Sequence, residues 1–185
     1  MSNNTTIPTE PIGSIPRTTE LIKGLQSFEK GYISQAQLDA LYEQAIRDTI
    51  QQFEATGSPV ITDGEQAKPS FATYPIAGLK SLAPDGVKIP FADGHVRQLP
   101  RLASGPFRYQ VYADQYLESA RNHTNLPLKQ AVISASALSL LYPQDGIDGY
   151  SQVDFLNDLV REAETDIRRC LNNGCLLYTS PSPRD

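Results

Sequence analysis

The sequence is poor in the residues that mark secreted, membrane-spanning or metal-rich proteins. Among 185 residues there is no tryptophan, one methionine and two cysteines, Cys170 and Cys175. Two cysteines so close together cannot form a disulfide framework, which favours a reducing compartment, and we predict a cytoplasmic protein. No apolar run approaches the length of a membrane span, and the first ten residues lack the apolar centre of a secretory leader.

Basic residues are also in deficit, with 16 Lys and Arg against 21 Asp and Glu and a formal net charge of −5. A phosphate backbone requires a basic patch, so we predict no nucleic-acid partner. The two histidines, His95 and His123, are isolated, and neither forms a zinc-ligand spacing with a cysteine. The 39% hydrophobic content is ordinary for a globular chain with one core.

The N-terminal third alternates short apolar runs with helical patterns. Residues 1–9 predict a flexible lead-in, residues 12–15 a short strand, and Thr18 or Thr19 the cap of a helix that ends at Gly31. Ser34 and Gln37 form the spacing of a capping box, which predicts a second helix ending at Gly57. Its apolar positions recur at steps of three and four residues: Leu38, Leu41, Ala45, Thr49 and Phe53. A buried strand is predicted over residues 59–62.

The remaining residues predict a hairpin, two helices and a strand. Residues 87–91 and 95–99 flank a turn containing Gly94, which predicts a hairpin insertion within residues 85–105. Residues 107–121 predict a helix, residues 129–134 a strand, and Ser151 the cap of a helix that ends at Gly174. One face of this last helix is predicted to be buried, and it carries Leu156, Leu159, Val160, Ala163, Ile167 and Cys170.

Strands that alternate with helices predict an α/β fold with a parallel sheet. A closed barrel needs eight strands, more than this chain offers, and a doubly wound sheet would also fit the alternation. The glycine-rich phosphate motif GxGxxG that a doubly wound sheet often carries is absent. Small and acidic residues end the first two strands, as Ile12-Gly13-Ser14 and Asp63-Gly64-Glu65. Ligands of parallel α/β folds bind at such strand ends.

Two segments carry a family resemblance. Residues 11–17, Pro-Ile-Gly-Ser-Ile-Pro-Arg, followed by residues 60–65, Val-Ile-Thr-Asp-Gly-Glu, resemble the cobalamin-independent methionine synthase family. The likeness is to its C-terminal catalytic domain and to single-barrel relatives in the uroporphyrinogen decarboxylase/methionine synthase superfamily. Residues 129–136 resemble the third strand of that domain. Over residues 10–174 the resemblance implies a (β/α)8 TIM barrel truncated to roughly its first three to four βα units, with the hairpin inserted over its mouth.

The resemblance also implies a reaction and its residues. The family transfers a methyl group from a methyltetrahydrofolate-type donor to the thiol of homocysteine, which is held on zinc. By position, Ile12, Gly13 and Ser14 would hold the amino-acid end of the substrate, and Glu65 would pair with its ammonium group. Tyr142 lies where the family stacks a tryptophan on the folate ring. The zinc ligands, a His-x-Cys pair among them, belong to the second half of the barrel, so zinc is expected only in an intact parent.

Residues 175–185 do not resemble the family. A fourth strand is expected after Gly174, yet the run Leu-Leu-Tyr-Thr-Ser-Pro-Ser-Pro-Arg-Asp has the character of a translated adapter, and we predict a non-native tail.

Three functions remain open. In the first, the intact parent protein is a zinc-dependent methyltransferase or a related thiol alkyltransferase. In the second, the parent is a decarboxylase-type barrel of the same superfamily. In the third, the chain is a non-catalytic half-barrel that is inactive by itself. Several residues are expected to have no functional role. Arg17 and Lys68 are predicted to be solvated or salt-bridged at the surface, His95 to be exposed near a turn, and Cys170 to belong to the core.

Overall fold

Segments that run in the same direction form the centre of the fold. A computed structural model describes residues 9–179, and residues 177–179 by their backbone only. Strand β5 (Lys129–Val132) pairs in parallel with β6 (Leu176–Thr179), and Ile61 forms a parallel bridge with Leu128. The fourth strand expected after Gly174 is therefore present, while the non-native origin of residues 175–185 stays a prediction. The predicted lead-in, apart from Thr9, lies outside the described residues.

The two predicted N-terminal strands lie side by side but do not form a regular ladder. Hydrogen bonds join Ser58 Oγ to the Thr9 carbonyl (2.9 Å), Thr62 Oγ1 to the Gly13 carbonyl (3.2 Å), and the Ile15 N–H to the Gly64 carbonyl (3.1 Å). The constant spacing of 49 residues shows that the two segments run parallel. The strand predicted over residues 12–15 is not formed, and that over residues 59–62 is reduced to the bridge at Ile61. Hydroxyl groups replace part of the main-chain ladder here, and the flanking prolines at 11 and 16 have no N–H to donate.

The first two helices confirm the capping signals. Helix α1 (Thr19–Glu29) begins after Thr18, whose hydroxyl accepts from the Leu21 N–H at 3.2 Å. Helix α2 (Gln35–Ala55) has the full capping box between Ser34 and Gln37. Its buried residues Leu38, Ala45 and Thr49 belong to the predicted stripe, which Ile46 and Ile50 widen. The stripe directs α2 against the central segments, as an amphipathic helix requires.

The predicted hairpin is confirmed and is longer than expected. Strand β2 (Lys88–Pro90) pairs in antiparallel fashion with β3 (Val96–Gln98) across the turn at Gly94. A second antiparallel pair, β1 (Leu82–Ala83) with β4 (Arg101–Leu102), extends it at its base. All three residues of β3 are exposed, so the outer part of the hairpin projects from the core.

The prediction of a helix over residues 107–121 was wrong for the first half of that range. Only a 3-10 turn (Ala113–Tyr116) and the short helix α3 (Leu117–Arg121) form. Three residues of this stretch, Phe107, Tyr109 and Ala113, instead donate their main-chain N–H groups to side chains later in the sequence. The Tyr109 N–H binds Glu162 Oε2 at 3.1 Å, and the Ala113 N–H binds Asp166 Oδ1 at 2.7 Å. These tertiary bonds satisfy the donors that a helix would otherwise pair within itself.

The buried face of the last helix was predicted correctly in part, since Leu159, Ala163 and Cys170 are buried. After the short helix α4 (Ala135–Leu138), helix α5 (Gln152–Asn172) begins at the predicted cap Ser151. Leu156 and Val160, predicted to be buried, are 39% and 57% exposed. The buried face combines apolar residues with three acids: Phe155, Asp158, Leu159, Glu162, Ala163, Asp166 and Cys170. A prediction from apolar residues alone missed the three acids of this face, because they are buried against hydrogen-bond donors.

The apolar core lies between the central segments and the helices α2 and α5. Ile50, Ile61, Phe107, Phe155 and Leu159 have no accessible surface within the described structure. Across residues 9–179, no helix is both long and apolar enough to cross a membrane.

Candidate functional site

Residues 62–68, here called the Glu65 turn, follow the parallel bridge at Ile61, and the side chains of residues 62 and 63 shape the turn. Gly64 and Glu65 both have positive φ, at 64° and 55°. The Gly64 N–H donates to Thr62 Oγ1 at 3.0 Å, and the Glu65 N–H donates to Asp63 Oδ1 at 2.9 Å. Left-handed backbone is unusual for glutamate, and such strain persists only where the surroundings hold it. Here the short polar side chains of residues 62 and 63 hold it.

The turn places Glu65 against the first motif. A Cβ atom at Gly13 would lie 3.6 Å from Glu65 Oε1, an ordinary contact distance, so the carboxylate lies directly beside Gly13. A Cβ atom at Gly64 would lie 2.8 Å from side-chain atoms of Ile15 and Thr49, so this position admits only glycine without a shift. The Ile-Gly-Ser and Asp-Gly-Glu motifs, whose corresponding positions are 51 residues apart in sequence, are thus brought into contact.

Two cavities meet at this contact, and Ser14, Arg17 and Glu65 line both. The first, about 720 Å³, extends along α1 past Ile22 and Leu25 and is partly apolar. The second, about 320 Å³, extends toward the hairpin and is more polar; its lining is completed by Lys68, Pro69, Ser70, Phe71 and Arg97. A carboxylate, a hydroxyl and cationic groups beside an apolar groove can take a small amphiphilic molecule that carries both charges.

Lys68 is buried, contrary to the surface position expected for it. The residue is 1% exposed, and its Nζ lies 2.9 Å from the Ala131 carbonyl and 3.5 Å from Glu65 Oε1. The rings of Tyr74 and Tyr116 lie 4.7 and 5.5 Å from the same nitrogen. Since a buried cation requires partners, a carboxylate, a carbonyl and two aromatic faces together compensate its charge.

Arg17 is only partly exposed and binds main-chain carbonyls. Its Nε lies 3.0 Å from the Gln66 carbonyl, and its Nη2 also binds the Lys68 carbonyl. It was expected to be solvated or salt-bridged, whereas here it joins the first motif to the Glu65 turn by hydrogen bonds.

The neighbouring Asp63 is 2% exposed, and burial raises the pKa of its carboxyl, against the opposing effect of the Lys68 cation. Asp63 Oδ2 has no hydrogen-bond partner within the described part of the chain.

Two further candidates lie apart from this contact. The side chain of Ile12 is 69% exposed and lines neither cavity. Tyr142 donates its hydroxyl to the Tyr150 carbonyl at 2.7 Å, and its ring lies 5.4 Å from that of Phe155. It lines a separate cavity of about 450 Å³ beside Arg101. Its proposed contact with a folate ring stays a prediction.

The described residues do not fit a zinc site. No group of three or more His, Cys, Asp and Glu side chains within residues 9–179 could hold a metal ion. Burial raises the pKa of Cys170 to about 12 and that of Cys175 to about 11, whereas a zinc ligand must be a thiolate. His95 lies 2.5 Å from Asp93 in the hairpin, and His123 lies 2.6 Å from Glu43 on α2. Cys170 belongs to the core and His95 is exposed, as expected.

Comparison with known proteins supports the resemblance. No family model matches the chain. The 5-methyltetrahydropteroyltriglutamate--homocysteine methyltransferase of Syntrophotalea carbinolica is 30% identical over 135 aligned positions, which cover 67% of this chain and 16% of that protein. The protein of the same name from Saccharophagus degradans is 36% identical over 72 positions, covering 39% of this chain and 9% of its own length. The chain is a partial-length homologue of the cobalamin-independent methionine synthases.

Solved structures agree with this family in fold. A B12-independent methionine synthase from Shewanella sp. W3-18-1, in complex with selenomethionine, superposes with a TM-score of 0.70 at 18% identity, covering 93% of this chain and 50% of the other. A putative vitamin-B12 independent methionine synthase from Listeria monocytogenes gives a TM-score of 0.64 at 20% identity, covering 98% of this chain and 57% of the other. The chain thus has the α/β fold of part of these proteins and spans about half the length of those structures.

The sequence alone did not place Lys68 and Arg17 at this site. The one sequence signal for Lys68 is its position three residues after Glu65, where its N–H closes a turn onto the Glu65 carbonyl at 3.2 Å. Nothing local shows that Ala131 and two tyrosine rings surround its side chain.

Proposed function

We propose that the contact between the Ile-Gly-Ser segment and the Glu65 turn binds the amino-acid end of a homocysteine-like thiol. The observation that carries this proposal is the position of the Glu65 carboxylate, beside Gly13 and on the wall that two cavities share. A carboxylate there can pair with a ligand ammonium group, and the Ser14 hydroxyl can bond to the ligand carboxylate. The apolar groove along Ile22 and Leu25 can accept the carbon chain and the sulfur.

The names of the relatives support this choice of substrate class. The relatives are named as homocysteine methyltransferases, and the Shewanella structure holds selenomethionine, an amino acid of the same type. In the whole protein we propose methyl transfer from a methyltetrahydrofolate-type donor to homocysteine, within a TIM barrel of which this chain forms the first three to four βα units. Tyr142 would then contact the folate ring.

For this chain alone we propose binding without methyl transfer. The family's His-x-Cys zinc ligands do not occur in the 185 residues, and the described thiols are buried and protonated. We therefore assign no step of the reaction to a metal held here.

Calorimetric titration of the chain with L-homocysteine and with mercaptobutyrate, which lacks the α-amino group, tests the proposal. We expect homocysteine to bind at least tenfold more tightly, because a charged hydrogen bond contributes on the order of 1.5–3 kcal/mol. Glu65→Gln should abolish that preference, and Glu29→Gln, an exposed acid at the end of α1, should leave it intact. Equal affinity of the native chain for both ligands would exclude Glu65 as the ammonium site.

A further inference from the structure

We infer that Lys68 is a positioning residue for Glu65: it holds the carboxylate by Oε1 and leaves Oε2 directed to a ligand ammonium. This inference rests on the proposed function, since it gives the Glu65 carboxylate a defined binding geometry. We expect the Lys68 nitrogen to make no contact with the ligand, because the side chain has no accessible surface and the nitrogen binds the Ala131 carbonyl of β5.

The contacts of Lys68 show an anchored cation. Its side chain has no accessible surface, and the Nζ atom binds the Ala131 carbonyl of β5 at 2.9 Å. The faces of Tyr74 and Tyr116 confine the same nitrogen. A lysine held by a strand carbonyl and two rings has little rotamer freedom, so its position is set by the fold rather than by Glu65.

The contacts of Glu65 show a carboxylate held at one end. Oε1 lies 3.5 Å from Lys68 Nζ and is the carboxylate oxygen beside Gly13. Oε2 accepts no hydrogen bond from any residue that the structure describes, although Glu65 lines both cavities. A carboxylate with one oxygen bound and the other unbound is oriented for a single further donor.

The charges of the cluster favour a cationic ligand group. Asp63 and Glu65 are two carboxylates, both less than a tenth exposed, and Lys68 is the cation enclosed with them. Arg17 binds the carbonyls of residues 66 and 68 rather than either carboxylate. Glu65 Oε2 is therefore an acceptor left for a ligand ammonium, since Lys68 Nζ binds Oε1 and Arg17 binds neither carboxylate.

A purely structural role for Lys68 makes different predictions. Removal of a structural cation would loosen the whole centre of the fold and weaken every ligand alike. Removal of a positioning cation should free the Glu65 side chain and weaken only ligands that carry an ammonium group. Lys68→Met keeps the length of the aliphatic stem and removes the charge, and Lys68→Arg restores a charge with another shape.

The first measurement compares Lys68→Met with the native chain in the same two titrations. We expect homocysteine affinity to fall about tenfold while mercaptobutyrate affinity is unchanged, and Lys68→Arg to recover part of the loss. In the Glu65→Gln background, Lys68→Met should cause no further loss, because the two residues act as one unit. Full retention of the ammonium preference in Lys68→Met, or an equal loss for both ligands, would overturn the positioning role.

A second measurement needs no ligand and separates the two proposals. Amide hydrogen exchange should be at least tenfold faster in Lys68→Met at the Glu65 and Lys68 amides, while amides within α2 keep their native rate. If those two amides exchange at the native rate, Lys68 does not hold the turn, even if homocysteine binds. If they exchange faster but the native chain does not bind homocysteine, the anchoring of the turn stands, and the proposed function and ligand-directed role are both wrong.

Discussion

The hydroxyl group of Tyr74 donates a hydrogen bond to the Asp166 carboxylate, 92 residues later in the chain. The same hydroxyl accepts from the Ile133 N–H at 3.3 Å, and the Tyr74 ring covers the Lys68 ammonium. One tyrosine thus links α5, the end of β5 and the Glu65 turn. Burial and the nearby Asp166 carboxylate raise the pKa of Tyr74, so the hydroxyl keeps the proton that it donates.

Tyr74→Phe should lower the free energy of unfolding by about 1–3 kcal/mol, because the Asp166 carboxylate loses a donor in a buried position. Urea denaturation of the purified chain measures this change. Tyr32→Phe is the matched control, since Tyr32 is 77% exposed and should change stability little. Equal effects of the two substitutions would show that the buried bond contributes nothing.

Gly64→Ala should destabilise the chain more than Gly57→Ala does. Both glycines have positive φ, at 64° and 74°, so both substitutions carry the backbone cost of that conformation. Only at Gly64 would the new Cβ meet side chains, at 2.8 Å from Ile15 and Thr49, whereas nothing lies within 4 Å at Gly57. We expect the difference in unfolding free energy to be about 1–3 kcal/mol, the typical cost of overpacking. A larger loss for Gly57→Ala would contradict this.

Glu43 should stabilise the contact between α2 and α3 in a pH-dependent way. Hydrogen bonding from Ser119, with further contributions from His123 and Arg47, lowers the pKa of the Glu43 carboxyl. A lowered folded-state pKa contributes stability that is present above the unfolded value, about 4.3, and is lost as pH falls through the folded value. The stability difference between the native chain and Glu43→Gln should therefore shrink between about pH 6 and pH 3. Chemical denaturation at a series of pH values measures it, and a constant difference would argue against the ionised contact.

The two cysteines should resist alkylation until the chain unfolds. Cys170 is 0% and Cys175 3% exposed, and burial raises their pKa values to about 12 and 11. Since the thiolate is the reactive form, iodoacetamide near pH 8 should modify the native chain far more slowly than the chain in denaturing urea. Mass spectrometry of timed samples measures both rates. Native-state labelling at the rate of the unfolded chain would show that this end of the fold is open.

Local patterns were sufficient for helices α1, α2 and α5, their caps and the hairpin. The box between Ser34 and Gln37, the cap at Ser151 and the turn at Gly94 each depend on residues within a few positions of one another. Residues 107–112 could not be predicted in the same way. Their N–H groups bind Glu162 and other groups far along the sequence, and no local pattern contains such partners.

The residues of the candidate site also differ in whether the sequence alone could identify them. The sequence alone identified Gly13, Ser14 and Glu65 as strand-end residues of one family pattern, and the structure brings them together. Lys68 required the tertiary structure, because the burial of a cation depends on Ala131, Tyr74 and Tyr116, which come from three other segments. Periodicity and capping record interactions within one element. The positions of a buried charge and its partners are decided only when separate elements pack and exclude water.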